Sequence, residues 1–288
     1  MNSTAAGREL GRFRLIRINR RQKTLLVSVF VGLILLSTWL GGIWLDDEKM
    51  ETSLEGLYQP PSPEHPFGTD WLGRDMFTRT IKGLSLSIMV GMTAAATSVL
   101  FALVFGLMAA TMGKTTDRII TWLIDLFLSV PHLVTLILIS FVLGGGVKGV
   151  IVGIALTHWP SLCRVIRAEI LQLRSAEFIQ LSLRLGKSRW WIATRHMLPH
   201  VLPQLLVGFL LMFPHAILHE ASITFLGMGL SPHEPAIGVI LSESMRYLST
   251  GMWWLAFFPG LSLLIIVRAF DILGENMRLL IDPHHLHE

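Results

Sequence analysis

Six runs of apolar residues recur along this chain, near 24–45, 84–112, 119–143, 149–165, 203–229 and 253–276. Crossing a hydrocarbon core of about 30 Å takes roughly 20 helical residues, and all but the run at 149–165 reach that length. Backbone amides in lipid have no water to bond, so each run must close its own hydrogen bonds as a helix. The expected fold class is therefore all-α, a polytopic membrane protein with six transmembrane helices. Composition agrees, since 52% hydrophobic residues, 15% charged residues and a mean hydropathy of +0.58 lie outside the range of an ordinary soluble domain. The single cysteine, Cys163, excludes an intramolecular disulfide, and no paired-cysteine zinc or iron–sulfur spacing occurs.

Orientation follows from the basic residues, because the side richer in Lys and Arg near the membrane stays in the cytoplasm. With six spans, seventeen of these residues fall on the side of the N-terminus and six on the other, whose first loop is also rich in Asp and Glu. Both termini are expected in the cytoplasm. The chain then divides into a basic cytoplasmic segment 1–23, an uncleaved first anchor 24–45, a periplasmic loop 46–83, a five-helix core 84–276 and a cytoplasmic tail 277–288. The formal charge of +4 reflects this topology and gives no reason to expect nucleic-acid binding.

The largest cytoplasmic loop, about 167–200, reads "RAEILQLRSAEFIQLSLRLGKSRWWIATRHMLPH". Phe178, Ile179, Leu181, Leu183 and Leu185 form an apolar arc at helical spacing, with Glu177, Gln180 and Arg184 on the opposite face. Gly186 breaks this helix, a second follows, and Pro199 is placed to open the next span, where a missing N–H costs nothing. Two short helices around a glycine bend suit either an anionic lipid surface or a docking surface for a partner.

The run Gln180-Leu181-Ser182, three residues, Gly186, nine residues, then His196, Met197, Leu198 and Pro199 resembles the "EAA" loop of ABC-importer permeases, with the family's spacing throughout. Gln180 stands where that pattern has its acidic residue, and His196 where it has Ile. Three further segments carry the resemblance toward the C-type permeases for dipeptides, oligopeptides and nickel. They are "HPFGTDWLGRDMFTR" at 65–79, "ASITFLGMGLSPHEPAIG" at 221–238 and "FDILGENMRLLIDP" at 270–283, the departures being Ile237 for Trp and Asp271 for Asn. The resemblance covers nearly all of residues 65–283. It implies a type I ABC importer permease fold in the bacterial inner membrane, a loop that couples to an ATPase, and one half of a translocation pore. It also implies a second homologous permease, two ATP-binding subunits that use ATP and Mg, and an extracytoplasmic solute-binding protein. Residue by residue, the coupling loop would use Glu177, Gln180, Leu181, Ser182, Arg184, Gly186, His196, Leu198 and Pro199. Without any ligand, the segment 65–79 makes sense as turns at Gly68 and Gly73 and a helix N-cap at Asp75.

No HExxH pair, G-x-S-x-G elbow or phosphate-binding G-x-x-x-x-G-K-[ST] loop occurs, so the chain is expected to be no enzyme and to bind no cofactor of its own. Asp125, His158 and Arg268 fall in or near spans, where ionisable groups mark ion pathways, helix-end snorkelling or hydrogen bonds between helices; a channel or secondary transporter is the alternative class. In "MFPHAILHEAS", His215 and His219 are four residues apart and share one helix face, with Glu220 adjacent. Two imidazoles so placed suit a transient metal station, and they are similar to what nickel-importing members carry. The expected cargo is nickel or a metal chelate, with di- or oligopeptides as the alternative.

Overall fold

The computed structural model describes residues 20–281; expectations for the leader 1–19 and the tail 282–288 lie outside the described residues. The elements are α1 (Arg20–Trp44), α2 (Met76–Thr111), α3 (Lys114–Ser129), α4 (His132–Val142), α5 (Gly146–Arg174), α6 (Glu177–Arg184), α7 (Arg189–Ile192), α8 (Leu198–Phe225), α9 (Ile237–Met245) and α10 (Trp254–Ile281). Five helices are long and apolar enough to cross a membrane, and the bent pair α3 and α4 brings the number to six where it is counted as one broken span. The described residues form no strand, only one isolated bridge between Thr69 and Asp75.

The structure corrects the expected continuous span at 119–143. α3 and α4 meet at 98°. Val130 is extended at φ −96°, ψ 140°, as a residue before proline tends to be, and Pro131 supplies no N–H to carry the helix forward. A second correction concerns the entry to α8. Pro199 stands in the first turn of α8, as expected, but that helix does not start afresh. A π-helical turn, Ala193–Met197, carries α7 into α8, so one helical path of 37 residues runs from Arg189 to Phe225. Insertion of such a wide turn is one way a helix accommodates a proline that lacks an N–H and crowds the preceding turn. The N-cap expected at Asp75 is formed, its carboxylate accepting from the Thr78 N–H at 2.8 Å, so α2 starts at Met76, ahead of the apolar run that begins at 84.

The bundle is organised around α2, whose buried face repeats small residues at about every fourth position: Gly83, Ser87, Gly91, Ala95, Ser98 and Ala102. Apolar association gains little in lipid, so helices there hold together by close approach and hydrogen bonds between them. At Gly91 a Cβ would stand 2.9 Å from Cγ1 of Ile217 on α8, and the Ser98 hydroxyl donates to the Ala155 carbonyl on α5 at 2.8 Å. One apolar cluster joins α1, α2, α8 and α10 around Phe213 and Phe270. Another seats the loop helices on Ile166 and Ile170 of α5, through Ile179 and Ile192.

Candidate functional site

Each backbone feature of the α6–α7 loop has a chemical cause. α6 ends in a Schellman arrangement: the Lys187 N–H bonds the Ser182 carbonyl at 3.1 Å, the Gly186 N–H bonds Leu183 at 3.0 Å, and Gly186 sits between at φ +77°. Ser188 then caps α7, accepting from the Trp191 N–H at 3.2 Å. The side-chain amide of Gln180 donates to the Arg174 carbonyl at the end of α5, 2.7 Å away, a bond that a carboxylate at this position could not donate. His196 packs edge-on between Phe178 and Trp191 with centroids 5.7 and 5.1 Å away, and its Nε2 is 3.4 Å from the Ser182 hydroxyl. Arg174 ties the loop to the end of α2 by donating to the Ala110 carbonyl at 2.8 Å. Of the predicted apolar arc only Ile179 is buried; Phe178, Leu181, Leu185 and Trp190 are 48 to 76% exposed. These four side chains form an apolar patch that the described residues leave largely uncovered, Phe178 meeting the edge of His196. Glu177 lies in the first turn of α6 and Arg184 in its last, both exposed and each at the helix end that suits its charge.

At the opposite end of the bundle the segment 65–79 is a hydrogen-bonded staple. Asp70 accepts from the N–H groups of Leu72 and Arg74, from Arg74 Nε at 2.8 Å and from Arg79 Nη1 at 2.6 Å. Arg79 also donates to Glu243 of α9 at 2.9 Å, binding the segment to a distant part of the chain. Asp75 bonds His65 at 2.9 Å while it caps α2. The carboxylates of Asp70 and Asp75 are thus turned into the protein, as a structural staple requires.

The third site lies within the span region. His215, His219, His132 and His158 line one side-opening cavity of about 450 Å³, together with Met212. The ring centroids of His132 stand 4.5 Å from those of both His158 and His219, and the last two are 5.2 Å apart. One nitrogen from each of these three rings falls within 4.8 Å of the others. His215, one turn before His219, is exposed on the cavity wall and stands outside the trio. Glu220 does not line the cavity. A neighbouring helical residue points about 100° away, and Glu220 is fully buried, with Oε1 accepting from Thr224 at 2.9 Å. Asp125 and Arg268 pair with Arg164 and Asp271 at 3.0 and 3.3 Å. The i, i+4 pattern reveals His215 and His219, but His132 was missed because only the break after Val130 brings it there.

The profile of the family described as "Binding-protein-dependent transport system inner membrane component" matches residues 102–283. The dipeptide transport system permease protein DppC of Bacillus subtilis is 31% identical over 265 residues, covering 92% of this chain and 83% of that one. DppC of Alkalihalophilus pseudofirmus is 33% identical over 258 residues, covering 88% and 84%. The oligopeptide transport system permease protein OppC of B. subtilis is 30% identical over 269 residues, covering 93% and 88%. Among solved structures, the inward-facing MetNI methionine ABC transporter aligns with a TM-score of 0.55 at 16% identity, over 72% of this chain and 98% of that one. That likeness is one of fold.

Proposed function

Because the chain belongs to the family of binding-protein-dependent transport system inner membrane components, we propose that it forms one half of the translocation pore of an ABC importer whose cargo is of dipeptide or oligopeptide size. Relatives at 30 to 33% identity named for dipeptide and oligopeptide transport carry this reading, and they favour peptides over the nickel expected from the sequence. The same membership supports an assembly with a homologous permease, two ATP-binding subunits that use ATP and Mg, one of them seated on the α6–α7 loop of this chain, and a solute-binding protein that delivers cargo on the opposite side. The exposed apolar side chains of the loop support the ATPase contact, since burying them against a partner removes them from water. A metal or metal-chelate cargo stands as a second reading because of the histidine cavity. Cells lacking the gene for this chain and complemented with it are the test, with labelled dipeptide and labelled nickel supplied separately. Dipeptide uptake should require both this chain and its ATPase partner. Uptake that persists without the ATPase would indicate a channel instead.

A further inference from the structure

We propose that His132, His158 and His219 form a three-imidazole site for a divalent transition-metal cation, open to the cavity so that the cargo supplies the remaining ligands. The proposal rests on the importer reading for its place in the pathway and narrows the cargo class to a metal carried by a small amino-acid-like or peptide-like chelator.

The donors come from three elements far apart in sequence: the first residue of α4, the middle of α5, and α8. Tetrahedral bonds of about 2.0–2.1 Å from metal to imidazole place the nitrogens roughly 3.4 Å apart. From separations no greater than 4.8 Å, the closing motion is about an ångström, within the broad second torsion of a histidine side chain. No hydrogen bond joins any two of the three rings among the described residues. His158 instead sets its Nδ1 3.0 Å from the Ile154 carbonyl. A carbonyl can only accept, so Nδ1 carries the proton and Nε2 keeps its lone pair, the arrangement that orients a metal-ligating histidine from behind. The Nδ1 of His132 is buried without a hydrogen-bond partner. Packing alone gives no reason to leave a polar ring nitrogen so placed, whereas a cluster that closes on a cation does.

Ligand chemistry selects the class of ion. Three neutral nitrogens without a carboxylate suit nickel, cobalt, copper or zinc, and offer little to magnesium or calcium, which want oxygen. A site with only three protein ligands keeps a position open for exchange, which transport needs, because a cation caged on all sides would not leave. A chelator's own nitrogen or carboxylate fills that position from the cavity. His215 lies exposed one turn away on the same face as His219 and offers a next contact along the wall.

The test is a Co²⁺ titration of the assembled importer, purified with its permease and ATPase partners. His284, His285 and His287 of the tail are first replaced by Gln, so that they contribute no binding. Nitrogen ligation gives Co²⁺ visible ligand-field bands. We expect one saturating equivalent per copy of this chain, and at least tenfold weaker binding in each of His132→Gln, His158→Gln and His219→Gln. His219→Cys checks that the fold survives: it keeps a ligand, and should restore binding with a sulfur-to-cobalt charge-transfer band. Absence of Co²⁺ binding in the parent complex, or equal binding in all three Gln variants, overturns the site. Vesicle uptake by the same preparations separates the two readings. Peptide transport without metal binding would defeat the metal site and leave the importer function intact, while metal binding without any ATP-driven uptake would do the reverse.

Discussion

Gln180 shows how one atom type can decide a local structure. Its amide holds the last turn of α5, and Gln180→Glu removes that donor while placing a negative charge beside a helix C-terminus that already carries partial negative charge. The side chain is exposed, so the expected loss is no more than about 1 kcal/mol, read as a small fall in the melting temperature of the purified complex. Gly186 makes a different demand. At φ +77° a branched side chain is strained, so Gly186→Val should cost about 1–2 kcal/mol locally and lower the coupling of ATP hydrolysis to uptake, with membrane insertion unchanged. Unaltered coupling would remove the docking role of this bend. At the other end, Arg79→Leu removes one of the two guanidinium groups on Asp70 and the tie to Glu243, leaving the buried carboxylate on Arg74 and two backbone N–H groups; losing these charge-assisted bonds costs about 1–3 kcal/mol. Less folded protein should reach the membrane, measured as the amount extracted in a monodisperse peak.

Elements were legible in the sequence to the extent that length and polarity define them. An apolar run of some 20 residues can do little in lipid except form a helix, and 84–112, 203–229 and 253–276 coincide with α2, α8 and α10 to within a turn or two. The break between α3 and α4 was equally present in the letters Val130-Pro131, but hydropathy does not distinguish a straight span from a bent one. Asp75 was readable as a cap, since its effect is local. The trio of histidines was not, because His132, His158 and His219 are brought together by packing, and periodicity reports only neighbours on the same helix. Glu220 shows the reverse failure: it is adjacent to His219 in sequence, yet points into the protein. These elements carry one prediction of their own. Pro131→Ala restores the missing N–H and relaxes Val130, so α3 should extend toward α4 and draw His132 out of place. Co²⁺ affinity should then fall at least tenfold without any change in ligand residues; an unaltered titration would show that the bend does not position the site.

Viewed whole, the molecule has two chemically distinct ends. The α6–α7 loop carries exposed apolar and basic side chains, while the staple around Asp70 and Arg79 buries its charges. Sidedness is checked with a reporter active only outside the cytoplasm: fusions near Glu55 or Glu234 should be active, and fusions near Arg184 or after Pro283 silent. Activity at Arg184 would reverse the bundle and separate the loop from any ATP-driven partner. The uninterrupted path from Arg189 to Phe225 has a mechanical meaning. From Trp191 to His219 it measures about 42 Å at 1.5 Å per residue, so it is a lever whose short arm lies in the loop and whose far arm carries one imidazole. His132 and His158 hang on other members. A stroke delivered at the loop would shift His219 relative to His132 and His158, and grip on a cation is then expected to tighten and slacken with the nucleotide cycle. Cobalt affinity compared with ATP bound and with ADP bound reads that stroke directly, and identical affinities would mean that the lever does not move the jaw.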